Sequence, residues 1–221
     1  MDQVTKKSIW GFIRLFIVVC LILFLSAWTV NYWQAWVFLA AFFIPVILLI
    51  KHDKQLLERR LSGGPKAEKQ HRQKTIQGFA SIFSIGLILL PGFDHRFHWS
   101  HVPVFLVLTS NAVIMLAFLI IHYVFKGNSF ASAIIEVDKD QSVISTELYG
   151  IVRHPMYSGA IILFVFTPFA LGSFWALPFV LPLLIVIMAR LMDEEKYLKK
   201  NLNGYEEYCR KVRYRLIPFI W

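Results

Sequence analysis

Residues 148–159 read LYGIVRHPMYSG, which sets Arg153, His154, Tyr149 and Tyr157 around Pro155, directly before the last long apolar run of the chain. Where that run ends stands Arg190, followed by Glu194 and Glu195. Together these residues can offer one ligand aromatic faces, an imidazole, a carboxylate and a guanidinium. A cation near an aromatic ring gains about 0.5–2 kcal/mol once water is removed, and a guanidinium is a rigid fork matched to a carboxylate. A simpler reading stays open for each residue taken singly. Arg153 and His154 can anchor to headgroups, Tyr149 and Tyr157 can be interfacial aromatics, and Arg190 with Glu194 can be a helix-surface pair worth about 0.2–0.5 kcal/mol. In that pair the acid lies C-terminal to the base, the weaker order, so stability alone is a poor reason for it.

Some element must bring the two groups together. The chain has 221 residues, 57% hydrophobic and 17% charged, and the apolar residues fall in long blocks rather than at amphipathic spacing. That is the composition of a multi-pass membrane protein. A spanning helix needs about 20 apolar residues, so the expected fold is all-α: one transmembrane helical bundle of about five to six spans. The first span is read at Ile9–Val30 and the second at Ala35–Ile50, with Pro45 inside it. Membrane helices tolerate such a proline when neighbours satisfy the freed carbonyl. Trp28, Trp33 and Trp36 stand at one level, as an interfacial belt does. The third span covers Ile76–Leu90, the fourth Val104–Phe125, and PGFDHRFHWSHVP between them reads as an outside loop. The stretch from Pro155 to Arg190 is too long for one span and is interrupted by ALGSFWALP. It reads as a hairpin of two short arms, with Pro155 in the first turn, where a missing N–H costs little. A hairpin brings its own ends together, and so would join RHPMY to Arg190 and Glu194.

Residues 51–75 carry eight Lys or Arg against three acids, which marks them as cytoplasmic by the positive-inside rule. An even number of crossings then puts both termini, the polar segment 127–153 and the tail from Met192 onward on that side. Gly204 is expected to stop a helix, and Tyr205, Tyr208, Leu216 and Trp221 to fold the tail back onto the membrane surface. The chain divides into N-terminal spans, 1–126, and a region carrying the polar groups, 127–221, within one structural domain.

The net charge of +9 follows from this topology, so no nucleic-acid partner is expected. Cys20 in the first span and Cys209 in the tail are expected at different depths, which argues against a disulfide or a zinc site. His95, His98 and His101 fall on the opposite face with irregular spacing and read as structural or interfacial, so no metal is expected. No G-x-G-x-x-G, P-loop, G-x-S-x-G or H-E-x-x-H pattern occurs, which removes the main support for hydrolase and soluble-type nucleotide readings.

SVISTELYGIVRHPMYSG, then ALGSFW, then ARLMDEEKYLKKNLNGYEEYCRKVRYRLIPFIW, together covering roughly residues 127–221, resemble the isoprenylcysteine carboxyl methyltransferase family and its bacterial relatives, a group also similar to phospholipid methyltransferases. The joined elements RHPxY, R-x-x-x-E-E, GYxxY and RLxP are specific together. The first half of the chain matches only as generic spans. The resemblance implies a membrane enzyme that takes a methyl group from S-adenosylmethionine, held in a cytoplasmic pocket closed by the C-terminal part, while a lipophilic acceptor enters from the bilayer. Carried over by position, Tyr149, His154, Pro155, Met156, Tyr157 and Glu194 fall where the family contacts the cofactor. So do Gln141, Ser142, Val143 and Ile144 upstream. Arg190 falls where the family meets the acceptor near the transferred methyl. The family usually has a histidine at the position of Gln141, and a glycine and a small residue or proline where Glu147 and Leu148 stand.

Two other classes compete. Membrane reductases of sterol double bonds, which use NADPH, also carry an R-H-P-x-Y-like element near the C-terminus. They commonly show an asparagine before the tyrosine and an acid after the following glycine, where this chain has Met156 and Ala160. A non-catalytic scaffold or transporter would leave the clustered polar residues unexplained.

Overall fold

The computed structural model describes residues 3–52, 71–128, 134–137 and 141–221. Among them are seven α-helices: α1 Gln3–Ala27, α2 Trp33–His52, α3 His71–Phe97, α4 Val104–Gly127, α5 Pro155–Ala170, α6 Val180–Asn201 and α7 Tyr205–Lys211. Two 3-10 turns, Glu147–Gly150 and Leu177–Phe179, complete the order, and the described residues contain no strand. Most of the basic stretch 51–75, on which the sidedness argument rests, lies outside the described residues.

Hydropathy explains the class of fold. Ile9–Ala27, His71–Phe97 and Val104–Gly127 are long and apolar enough to cross a membrane, while Trp33–Leu48 and Pro155–Ala170 are apolar but shorter. Trp10, Leu25, Ile82, Phe105, Leu116 and Leu181 point outward. Such a surface would be a large apolar patch in water, and it is the natural one against lipid. The chain is an integral membrane helical protein.

Inside, Leu23, Tyr32, Ala35, Phe38, Ile114 and Leu171 form the main core. Close helix approach depends on small residues, as is common where lipid removes the hydrophobic drive between helices. A Cβ on Gly92 of α3 would stand 1.8 Å from Ser26 Oγ of α1, and one on Gly159 of α5 would stand 2.9 Å from Ile121 of α4. α5 runs along α4, α1 along α3, and α3 also along α6.

The hairpin forms as the sequence leads one to expect, α5 and α6 being its arms. Gly172 takes a φ of +75° at its tip. The tip is tied down by the Tyr32 hydroxyl, which donates to Leu171 O, and by the Asn111 amide, which donates to Ala170 O at 3.4 Å.

Three expectations need correction. The outside loop does not begin at Pro91: α3 runs through it to Phe97, because Pro91 and Gly92 are packed in the bundle and the helix is held beyond them. Asp94, also buried, accepts from Ser100 N at 2.8 Å and from the Ser100 and Ser173 hydroxyls, fastening the loop to the hairpin tip. At its other end α3 starts at His71, inside the segment read as loop. α6 runs past Arg190 to Asn201, in line with a helix that carries both Arg190 and Glu194 and stops near Gly204. Finally, Tyr205, Tyr208 and Leu216 are buried within the protein, and Trp221 lies under the Arg215 guanidinium at 4.9 Å, rather than all four lying on a membrane surface.

Candidate functional site

The extension of α6 past Arg190 positions most of the site. Residues 100° apart on a helix point to different neighbours, and residues four apart share a face. Arg190, Glu194 and Leu198 accordingly line one cleft. Asp193 turns toward α3, where it accepts from Gln73 Nε2 at 2.7 Å and pairs with Arg72 Nε at 3.2 Å. Glu195 turns toward the C-terminal tail.

Gln73 is fully buried, and its Oε1 accepts from the Arg190 guanidinium at 3.2 Å. The Tyr157 hydroxyl, one turn into α5, donates to Glu194 at 2.5 Å and also hydrogen-bonds Arg190. Arg190, Tyr157 and Glu194 therefore form one connected polar group with Gln73 behind it. Arg190 is thus oriented by neighbours on two other helices, which a simple surface pair with Glu194 would not be.

Glu195 is 3% exposed and gathers three basic side chains. Arg153 Nε donates to its Oε1 at 2.6 Å, Arg215 Nε to its Oε2 at 3.0 Å, and His154 Nε2 stands 3.3 Å from Oε1. Burial alone would raise the carboxyl's pKa, but the hydrogen bonds from His154, Arg153 and Arg215 outweigh it and hold the group well below the usual carboxylate range. Arg153 is therefore not the headgroup anchor that its place at the membrane boundary indicated. It is 7% exposed, and it also donates to Val212 O at 2.8 Å and Arg213 O at 2.9 Å. The tail is strapped over the motif through backbone as well: Arg153 N donates to Tyr214 O, His154 N to Arg215 O, and the Ser158 hydroxyl to Leu216 O at 2.7 Å.

The walls of the cleft come from four stretches of chain, with about 1020 Å³ of empty space between them, the solvent at the mouth included. The structure brings Arg190, Glu194, His154, Met156 and Tyr157 together on the walls built by the hairpin's two ends. Gln141, Ser142, Val143 and Ile144 line the wall contributed by the upstream segment, as does Tyr149 from the 3-10 turn. Pro155 opens α5 and is buried, outside the lining set. Tyr149 is fixed at both ends, its hydroxyl accepting from Asn128 Nδ2 at 2.9 Å and its carbonyl from the Tyr208 hydroxyl at 2.8 Å.

Glu147, where the resembled family usually has glycine, takes a φ of +52°. That conformation suits glycine and costs a side-chain-bearing residue about 1–2 kcal/mol. The turn survives the departure, and Tyr149 two residues on keeps its place in the lining.

Sequence reasoning missed Gln73, Asn128 and the clamp at Glu195. Gln73 lay in a stretch read only for its charge. The clamp had one signal, the paired acids Glu194 and Glu195, whose side chains a helix must send in different directions.

These features define a class: a membrane helical bundle whose terminal hairpin and tail enclose one polar cleft. Residues 98–200 match the family model of the isoprenylcysteine carboxyl methyltransferase (ICMT) family, so over this segment the chain is similar to that family. The matched segment takes in α4, RHPMY, Arg190 and Glu194 and ends within α6. The chain is also similar to a Delta(14)-sterol reductase, TM7SF2, of Mus musculus, at 28% identity over 118 residues, or 45% of this chain and 28% of the relative. The chain thus spans little more than a quarter of the length of that curated relative.

Proposed function

We propose that the protein is an S-adenosylmethionine-dependent methyltransferase acting on a lipophilic acceptor, with a carboxylate as the favoured reacting group. The observation that carries this reading is the convergence of Arg190, Tyr157 and Glu194 on one cleft, supported by the family-model match over the segment that supplies them. The wall residues fit the donor. Glu194 offers an acceptor for an amino group or ribose hydroxyl, His154 and backbone N–H groups can serve a carboxylate or adenine, and Tyr149 and Tyr157 offer aromatic surface or hydroxyls. We assign Gln141, Ser142, Val143, Ile144, Tyr149, His154, Met156, Tyr157 and Glu194 to this role, with Pro155 setting the start of α5.

When bound, S-adenosylmethionine supplies an electrophilic methyl on a sulfonium. An acceptor carboxylate is already an anion at neutral pH, so the protein need not remove a proton. Its task is alignment and exclusion of water, which can be worth several kcal/mol of barrier. Arg190 serves this as a fork for the acceptor carboxylate, held in register by Gln73. An amine acceptor would require a base, for which an arginine is poorly suited. We further place the cleft and both termini on the cytoplasmic side, the basic stretch 51–75 supporting that orientation, and the acceptor is taken to enter from the bilayer.

The sterol reductase relative favours a second reading, an NADPH-dependent reductase. Calorimetry on the 221-residue chain in detergent separates the two. Micromolar binding of S-adenosylhomocysteine without saturable NADPH binding is the expected result, and the reverse would overturn the methyltransferase reading.

A further inference from the structure

The cleft differs in kind along its length. One part holds the charged group at Arg190 and Glu194. Near α7 the wall is apolar, with Val143, Leu198 and Leu202 packed around Tyr205 and Tyr208. Tyr205 lines the cleft at 4% exposure, and its hydroxyl has no hydrogen-bond partner among the described residues. The neighbouring Tyr208, its ring centroid 5.6 Å away, spends its hydroxyl on Tyr149 O. A buried hydroxyl left unsatisfied is destabilising. Packing does not account for it, since phenylalanine would fill the same space. Burial, and next the negative charge of Glu195, push the hydroxyl's pKa up beyond the usual tyrosine range, so the group is a neutral donor.

We propose that Tyr205 is a ligand-contacting residue whose hydroxyl donates to a ring nitrogen of adenine in the bound methyl donor. The inference rests on the methyltransferase reading above. The sulfonium must lie beside Arg190, where the acceptor is held, and the amino and carboxylate groups need charged or polar partners. The purine is the flat, uncharged part of the donor, and its ring nitrogens are acceptors that require a donor when taken out of water. The apolar wall around Tyr205 offers one unspent donor.

The test is calorimetry on the full chain with S-adenosylhomocysteine and its 1-deaza, 3-deaza and 7-deaza analogues. Tyr205→Phe should weaken S-adenosylhomocysteine about three- to tenfold. One deaza analogue should be weakened by a similar factor on the unmutated chain, with no further loss on Tyr205→Phe. Affinity of Tyr205→Phe within twofold of the parent overturns the contact, and losses that add fully for every analogue overturn the assignment to a ring nitrogen. If the variant does not fold, the analogue series on the parent decides: three analogues that all bind as tightly as S-adenosylhomocysteine refute the proposal. A parent that binds NADPH and no S-adenosylhomocysteine fails at the level of the function itself.

Discussion

At the scale of single residues, the cleft has groups that line it and groups behind them that hold the lining in place. Arg190→Ala should leave S-adenosylhomocysteine affinity unchanged and abolish methyl transfer to a prenylcysteine or to extracted lipids, whereas Glu194→Ala should weaken the donor. Equal loss of both properties in both variants would refute this division. Gln73 is proposed as a positioning residue, since among the described residues its side-chain hydrogen bonds go to Arg190 and Asp193. Gln73→Leu should lower turnover by about 100-fold through misalignment of Arg190, at unchanged donor affinity. Full turnover in that variant would show that Arg190 orients itself. Sequence pattern found Arg190, Glu194 and Tyr157 because each sits in a compact motif. It did not find Gln73, because nothing in KQHRQKT distinguishes the one side chain that faces inward.

At the scale of elements, the hairpin and the tail are separate pieces joined at Glu195. Removing one partner of a buried charge cluster leaves the others uncompensated, so Glu195→Gln should destabilise the fold by about 3–5 kcal/mol, read as a lowered thermal midpoint in detergent and faster proteolysis of the tail. The pH dependence has a definite sign. The folded carboxyl has a pKa below its unfolded value of about 4.3, so its contribution is fully present above that value. It is lost as pH falls from there toward the lower folded value, because the unfolded chain takes up the proton first. A midpoint in Glu195→Gln that equals the parent's at pH 7 would show that the clamp is dispensable. The hairpin was legible because an apolar run too long for one span, broken by Gly172 and Pro178, has few other ways to fold. The start of α3 at His71 was not, because a change from charged to apolar composition marks the membrane boundary and says nothing about where a helix begins.

For the whole molecule, the orientation in the membrane decides which compartment the cleft opens to. His101 and Lys200 are both exposed and lie at opposite ends of the bundle. His101→Cys should react with a membrane-impermeant thiol reagent on intact cells, and Lys200→Cys only after permeabilisation. The opposite pattern would invert the proposed sidedness. The exposed Ile217, Phe219 and Ile220 follow Leu216, whose carbonyl accepts from Ser158 of α5, so the strap that covers the RHP motif also presents apolar side chains outward.

The sequence by itself determined the membrane class, the terminal hairpin and the meeting of RHPMY with Arg190 and Glu194. Long apolar blocks have one stable solvent, and a hairpin closes over its own short span of chain. Only the tertiary structure decided which side chains complete the site. Gln73 meets Arg190 across 117 residues of chain, Arg153 turns inward to Glu195, and Tyr205 turns into the cleft rather than toward lipid. Those choices depend on how each helix is rotated against its neighbours, and in helices that are apolar on nearly every face, no periodicity in the sequence records that rotation.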